Sequence, residues 1–484
     1  MPTKARKMCK RELWAVLWLL PVALMLVACT GETLRPEDIE AARPVAVSFD
    51  TYLKDSKKER QTRATFPNDG SSMARGTVGE IDETRLHQTG FGAFAIYTEN
   101  NEYSDFRSSS GAAFNFMWNQ QVTWGDELAG HITQWKYSPV KYWPNDNQPA
   151  DDQNNDTSND PAQGSQAHSY LSFFGYAPWV NHNAIASTTS SDDGIVALTS
   201  NAAATADSYL TYRTAPSMRA NESVDLLWAY PQYDLYKTKL SGEGYTTGTV
   251  KMHFIHTLSK LNVLVRGVFD HVTPQDNWPE YADDVDGNTK IFIERVEILN
   301  PKVNTEGRLY LVPDGATPQK PRWESTGDAK SLTFSSTGIH EDLRYTGAPS
   351  NEADANDAKT VFDGLETGVT KNDHTLFASD DDSYIFLPNT TASQVQVRVV
   401  YHVITYDERL TLNNPKYFSV VTNDITTTST ATLSFEPNKV YTLRLLLGLT
   451  TVKFEIDVED WAVPMVLDGE VTPWADKTHE ANVE

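Results

Sequence analysis

The sequence predicts an all-β protein of the sandwich type, and three observations carry that prediction. Runs rich in β-branched and aromatic residues recur along its 484 positions. Turn-forming pairs such as Asp-Gly, Asn-Pro and Pro-Asn separate these runs. Long amphipathic helical patterns are nearly absent. Strands that recur with turn signals between them bury their apolar faces by packing sheet on sheet.

The first 28 residues stand apart from the fold. Lys4, Arg6, Lys7, Lys10 and Arg11 are followed by the apolar run Leu13–Ala28. That run has the length of a signal peptide and is short for a bilayer span. It ends in Leu26-Val27-Ala28-Cys29, which resembles a bacterial lipoprotein signal. The resemblance implies that Cys29 is acylated and becomes the new N-terminus; the alternative is an ordinary secretory signal in which Cys29 is incidental. A later hydrophobic segment long enough for a transmembrane helix is not found in the sequence. The expectation is an exported chain, tethered to the membrane by lipid at Cys29.

Cys9 leaves with the signal, so no pair remains for a disulfide and the cores alone must hold the fold. The roughly 455 residues that follow are too many for one core, which predicts two domains. Their boundary is expected near Lys237–Val250, where Gly and Thr accumulate before a new apolar run. The 41 cationic and 65 anionic side chains give a formal charge of −24, spread along the chain. That balance argues against binding nucleic acid or an anionic membrane through a basic face.

The first strand lies in "PVAVSFDTYLKDSKKERQTRAT", Pro44 to Thr65. Val45, Val47, Phe49 and Leu53 share one face, with Ala46, Ser48 and Asp50 opposite. The polar run "KKERQTR" follows at once and carries Arg60 and Arg63. Further strands are expected at Phe91–Thr98, Lys290–Leu299, Arg308–Val312, Ser383–Pro388, Ser393–Tyr406 and Thr450–Trp461. Within Ser393–Tyr406, the residues Val395, Val397, Val399, Tyr401, Val403 and Thr405 fall on one face. Short helical pieces are expected around Pro36–Ala42 and Thr257–Leu261. The polar stretches Asn145–His168 and Thr346–Thr360 read as surface loops, since they carry too little apolar surface to offset ordering.

Enzyme motifs are not found. The chain shows no phosphate-cradling Gly-rich loop, no G-x-S-x-G elbow and no C-x-x-C or H-E-x-x-H pattern. A calcium loop centred on Gly287 would place Ala282 and Ile293 where carboxylates are required, so Asp284 and Asp286 read as a hairpin turn. His253 and His256 fall on opposite faces of a strand, as do Glu459 and Asp460. The expectation is a non-enzyme with no metal and no cofactor. Trp143, Phe173, Phe174 and Tyr176 read as core; the alternative is a sugar-stacking platform.

Several phrases recur together. They are "GFGAFAIYTENN" (Gly90–Asn101), "FNFMWNQQVTW" (Phe114–Trp124), "WKYSPVKYWPND" (Trp135–Asp146) and "YLSFFGYAPWV" (Tyr170–Val180). "MHFIHTLSKLNVLVRG" (Met252–Gly267) and "VYTLRLLLGLTTVKFEIDVEDW" (Val440–Trp461) follow in the same order. The series behind a lipoprotein signal is similar to the fimbrillin family of bacterial lipoproteins, subunits of type V pili in anaerobic gut and oral bacteria. The resemblance covers about residues 90 to 461. It implies two tandem transthyretin-like β-sandwich domains after the signal peptide, here 64–245 and 246–461, with a propeptide at 29–63. It also implies an assembly route. The lipid-anchored precursor is cut after an arginine beyond its first strand, that strand leaves, and an extended segment of a neighbouring subunit fills the groove.

Carried onto this chain, the displaced strand is Val45, Val47, Phe49 and Leu53. The cut is expected after Arg63, with Arg60 second and Arg75 third. The donor is expected at Trp461, Val463, Met465 and Leu467, which recur with period two and lead into the tail 462–484. Side chains of that kind entering an apolar groove contribute roughly 1.5–3 kcal/mol each before ordering costs. The expected partners are other pilus subunits, the membrane through the lipid on Cys29, and a host protein or glycan receptor. The expected place is the outer membrane surface. Three alternatives stay open: a tip adhesin, an anchor subunit of the same pilus, and a monomeric carbohydrate-binding lipoprotein. A surface glycoside hydrolase would need two opposed carboxylates in a cleft, which nothing in the sequence favours.

Overall fold

The structure of the protein is a computed structural model that describes residues 44–54, 76–99, 101–110, 113–126, 133–144, 169–185, 193–200, 207–236, 248–268, 289–313, 319–335, 343–344, 346, 358–365, 368–370, 372–379, 383–406 and 418–462. Residues from Ala46 onward belong to one compact unit; of Met1–Val45, only Pro44 and Val45 are described.

The described residues are nearly all β. In chain order the first strands are β1 (Ser48–Tyr52), β2 (Phe91–Tyr97), β3 (Met117–Asp126), β4 (Thr133–Lys136), β5 (Leu171–Ala177), β6 (Gly194–Thr199), β7 (Tyr209–Arg213), β8 (Leu227–Leu235) and β9 (Thr249–His256). They continue as β10 (Ser259–Gly267), β11 (Thr289–Val303), β12 (Glu306–Tyr310), β13 (Arg322–Ser325), β14 (Lys330–Ser335), β15 (His374–Thr375) and β16 (Tyr384–Phe386). The last are β17 (Asn389–Tyr406), β18 (Phe418–Phe435), β19 (Lys439–Leu447) and β20 (Val452–Asp460). The helices are short: α1 (Glu83–Thr89), α2 (Tyr103–Ser110), α3 (His182–Ile185) and α4 (Ala358–Asp363).

The first sheet runs β1-β9-β8-β5-β2-β3-β4. β2 and β5 are apolar on both faces, and Phe91, Phe94, Phe173, Phe174 and Tyr176 are wholly buried. Helix α1 feeds into β2. Asp82 caps its start by accepting from Arg85 N at 2.7 Å, and Gly90 closes its end at φ 66° with its N–H on Leu86 O. A side chain at Gly90 would place Cβ 2.4 Å from the Val122 carbonyl oxygen, so only glycine admits the turn.

Two further sheets, β14-β11-β17-β18 and β15-β10-β19-β20 with β16 beside β10, face one another across a second core. Alternation supplies that core: Leu261, Val263 and Val265 from β10, Val397, Val399 and Tyr401 from β17, and Leu443 and Leu445 from β19 are all buried. A fourth sheet, β13-β12-β7-β6, takes two strands from before residue 245 and two from after it.

Two sequence expectations change. Thr257–Leu261 is not helical: Thr257 and Leu258 turn the chain from β9 into β10, where Ser259 already pairs. β9, the first strand after the Gly/Thr-rich stretch, pairs with β8 and β1. The polar stretch Thr346–Thr360 ends in α4, whose Phe362 packs on Phe292 and Ile404. The Pro36–Ala42 piece, the Asn145–His168 loop, and Asp284 and Asp286 lie outside the described residues.

Candidate functional site

The first strand forms where the alternation predicts it. Val47, Phe49 and Leu53 are buried, Val45, Ala46 and Ser48 are half-buried, and Asp50 is exposed. The sequence does not reveal its partner. β1 runs parallel to β9, with Ser48 opposite Thr249 and Tyr52 opposite His253. Ser48 N donates to Gly248 O at 3.1 Å, and the Ser48 and Thr249 hydroxyls share a 2.7 Å hydrogen bond. On its other side the chain meets the stretch that follows β4. Val47 N donates to Lys141 O at 2.9 Å, Ala46 forms an antiparallel bridge with Tyr142, and Trp135 Nε1 donates to Thr51 Oγ1 at 3.2 Å. β1 therefore lies between the two ends of its own sheet.

The inner face of this seat is aromatic. Phe49 meets Phe91 and Tyr137 at centroid distances of 5.6 Å and Phe173 at 6.0 Å, each ring edge-on. Tyr137 also ties the backbone: its hydroxyl donates to Val47 O at 2.8 Å and accepts from Lys141 N at 3.2 Å. Burial pushes its phenol up to about 12, so it remains a donor at neutral pH. Trp143 Nε1 donates to Gly248 O at 2.9 Å, joining the far wall of the seat to the start of β9. Tyr52 lies beside His253, ring centroids 4.6 Å apart.

Tyr137, Trp135, Trp143 and the β9 residues were not singled out for this role by the sequence. The aromatic alternation in "WKYSPVKYWP" was the available signal, but its target lies far away along the chain. Trp143, Phe173, Phe174 and Tyr176 are core residues, 4% exposed or less, so they offer no face to a sugar. His253 and His256 both pack inside, His253 against Tyr52 and Tyr230 and His256 against Asp225 and Trp461. Trp461 is buried at 6% exposure, with its ring flat on His256. Cys29, Arg60, Arg63, Arg75, Val463, Met465 and Leu467 lie outside the described residues.

No protein-family model matches the chain, and no curated protein matches it. Among solved structures, a fimbrial protein from Bacteroides vulgatus is similar at 16% identity and a TM-score of 0.48, over 86% of this chain and 99% of that one. The tip fimbrial protein Mfa3 from Porphyromonas gingivalis, with a C-terminal truncation, is similar at 11% identity and a TM-score of 0.31, over 77% of this chain and 94% of that one.

Proposed function

We propose that this chain is a structural subunit of surface fimbriae that serves adhesion. In this reading it is exported as a precursor, anchored by lipid on Cys29, cut after Arg63, and polymerised by strand exchange with other subunits. Two sandwich domains follow the cut, with β9 in the sheet of the first, and its place is the outer membrane surface. The ordered phrases between Gly90 and Trp461 support the reading from the sequence.

One observation carries it. β1 is a five-residue strand seated between two neighbours that each keep a partner without it. β9 retains β8, and the stretch beyond β4 stays tied to β3 through β4. Departure of β1 would leave a slot one strand wide, floored by Phe91, Tyr137 and Phe173. A segment with apolar residues at every second position recovers roughly 1.5–3 kcal/mol for each side chain it buries there. The ladder bonds it restores add roughly 0.5–1.5 kcal/mol each. Val463, Met465 and Leu467 supply such a pattern, so strand addition from a second copy is the chemistry of assembly.

The test uses the unlipidated precursor and an arginine-specific protease. Sequencing should find a new N-terminus at Ala64, and ladders should appear on a gel of unboiled sample. Removing residues 463–484 should abolish the ladders while the monomer stays folded. Equal ladders from the truncated chain would remove the donor assignment, and an uncut chain that polymerises would remove the role of β1.

A further inference from the structure

β9 touches both the first described strand and the last described residues. Its Thr249–His253 half is the wall against which β1 pairs, and its last residue, His256, lies against Trp461. That second contact is built from buried groups. Asp225 is fully buried and His256 is 1% exposed, and His256 Nδ1 stands 2.9 Å from Asp225 Oδ2. The carboxylate accepts, so Nδ1 carries the proton and the imidazole is held in one orientation. The same carboxylate accepts the backbone N–H of Ile81 at 2.9 Å.

Trp461 lies flat on that imidazole, ring centroids 3.8 Å apart and planes 4° from parallel. Lys260 Nζ stands 5.4 Å from the centroid of the same indole and pairs with Glu80. Glu80 and Ile81 adjoin in the chain, so the contacts close into a circuit: Ile81, Asp225, His256, Trp461, Lys260, Glu80.

Asn438 secures the next residue. Its carbonyl accepts from Trp461 N at 2.9 Å. Its side chain accepts from Ala462 N at 2.9 Å and donates to Ala462 O at 2.8 Å, as a strand partner would. Asn438 sits at φ 59°, a conformation that asparagine tolerates well, and its own N–H donates to Leu258 O beside β9.

We propose that this circuit is a clasp. Asp225, His256, Lys260 and Asn438 are positioning residues that couple the segment Gly79–Ile81 to the root of the C-terminal segment at Trp461–Ala462, so that loosening one loosens the other. The coupling stands on these contacts alone. Its use in a fibre rests on the function proposed above: tension entering at Ala462 would reach the seat of β1 through the single strand β9.

Hydrogen exchange on the full-length precursor, read by mass spectrometry, tests the clasp. Glu80→Gln removes the charge that holds Lys260 at the indole. The amides of Trp461 and Ala462 should then exchange about two- to fivefold faster, the effect of weakening one cation–π contact. By linkage, Asn438→Ala should speed exchange at the Ile81 amide. The Val399 amide, in the second core, reports global stability and should keep its rate in Glu80→Gln. If Glu80→Gln speeds exchange only between Gly79 and Asp82 and leaves Trp461 and Ala462 at the parent rate, the clasp is refuted. Coupled exchange in a chain that never forms ladders keeps the clasp and removes the fibre reading. Ladders without coupled exchange remove the clasp and keep the fibre.

Discussion

Phe49 sets its ring edge-on to Phe173, centroids 6.0 Å apart and planes 84° apart, inside the first sheet. Phe91 and Tyr137 flank the same ring, so a side chain from a five-residue strand fills a pocket made by three distant parts of the chain. Phe49→Ala empties that pocket, and the aromatic walls cannot all collapse into it. The cost should be about 3–5 kcal/mol. Urea unfolding of the precursor should show a lower midpoint with an unchanged slope. An unmoved midpoint would mean that Phe49 contributes nothing to the seat.

Tyr137 makes the seat sensitive to alkali. Burial raises its phenol to about 12, against about 10 for an exposed tyrosine. A raised value means that folding favours the neutral form. The stability it contributes is therefore whole below about pH 10 and is lost as pH climbs through about 12. Burial shifts Tyr401 and Tyr441 the same way, also to about 12, so the whole chain should weaken in that window. The ultraviolet titration difference between the parent and Tyr137→Phe isolates one phenol. Its midpoint should lie near 12, whereas a midpoint near 10 would mark an exposed ring.

Local alternation made much of this fold legible. Val47, Phe49 and Leu53 face inward as their spacing predicts, and so do Val395, Val397, Val399, Tyr401 and Val403. Period two is a property of a few consecutive residues, and a sequence displays it directly. Pairing is not local. The Ser48–Thr249 hydroxyl contact spans 201 positions, and nothing in either segment names the other. The Tyr209–Tyr310 pair that joins β7 to β12 was hidden for the same reason. Leu258 and Leu261, three apart, imitate a helical stripe, yet both are buried by a turn and the strand after it. Ile404 breaks the one-sided pattern of β17 because Phe362, from a stretch too polar to suggest a helix, covers the second face.

Two glycines at close approaches should respond differently to a methyl group. At Gly92 a Cβ would stand 2.4 Å from Tyr176 Cε1 and 2.8 Å from Asn119 Oδ1. Tyr176 is fully buried and its hydroxyl donates to that same Asn119 oxygen, so neither group can give way. At Gly175 the nearest atom is the terminal methyl of Met252, 2.6 Å away, which can rotate aside. Gly92→Ala should cost about 1–3 kcal/mol as an overpacked site, and Gly175→Ala clearly less. Thermal unfolding of the two variants side by side checks the order. The reverse order would mean that the Tyr176–Asn119 pair is not rigid.

The outer face of β17 and β18 carries a charge pair whose two halves should not be equivalent. Arg398 donates through Nε and Nη2 to Asp424 at 2.7 and 2.6 Å, and through Nη1 to Glu297 at 3.0 Å. Arg398→Ala and Asp424→Ala break the same fork. The first leaves Asp424 and Glu297 with Arg295 as their nearby cation in a chain of formal charge −24; the second leaves Arg398 paired with Glu297 and makes the net charge less negative. Both effects make the arginine the costlier loss, although pairs this exposed contribute little in absolute terms. Raising the salt shortens the Debye length from about 8 Å at physiological ionic strength to about 3 Å at 1 M, which screens the repulsion. The urea midpoint of Arg398→Ala should therefore lie below that of Asp424→Ala at low salt, and the two should converge in 1 M sodium chloride. A gap that stays fixed with salt would assign the difference to lost packing of the arginine stem on the sheet rather than to charge.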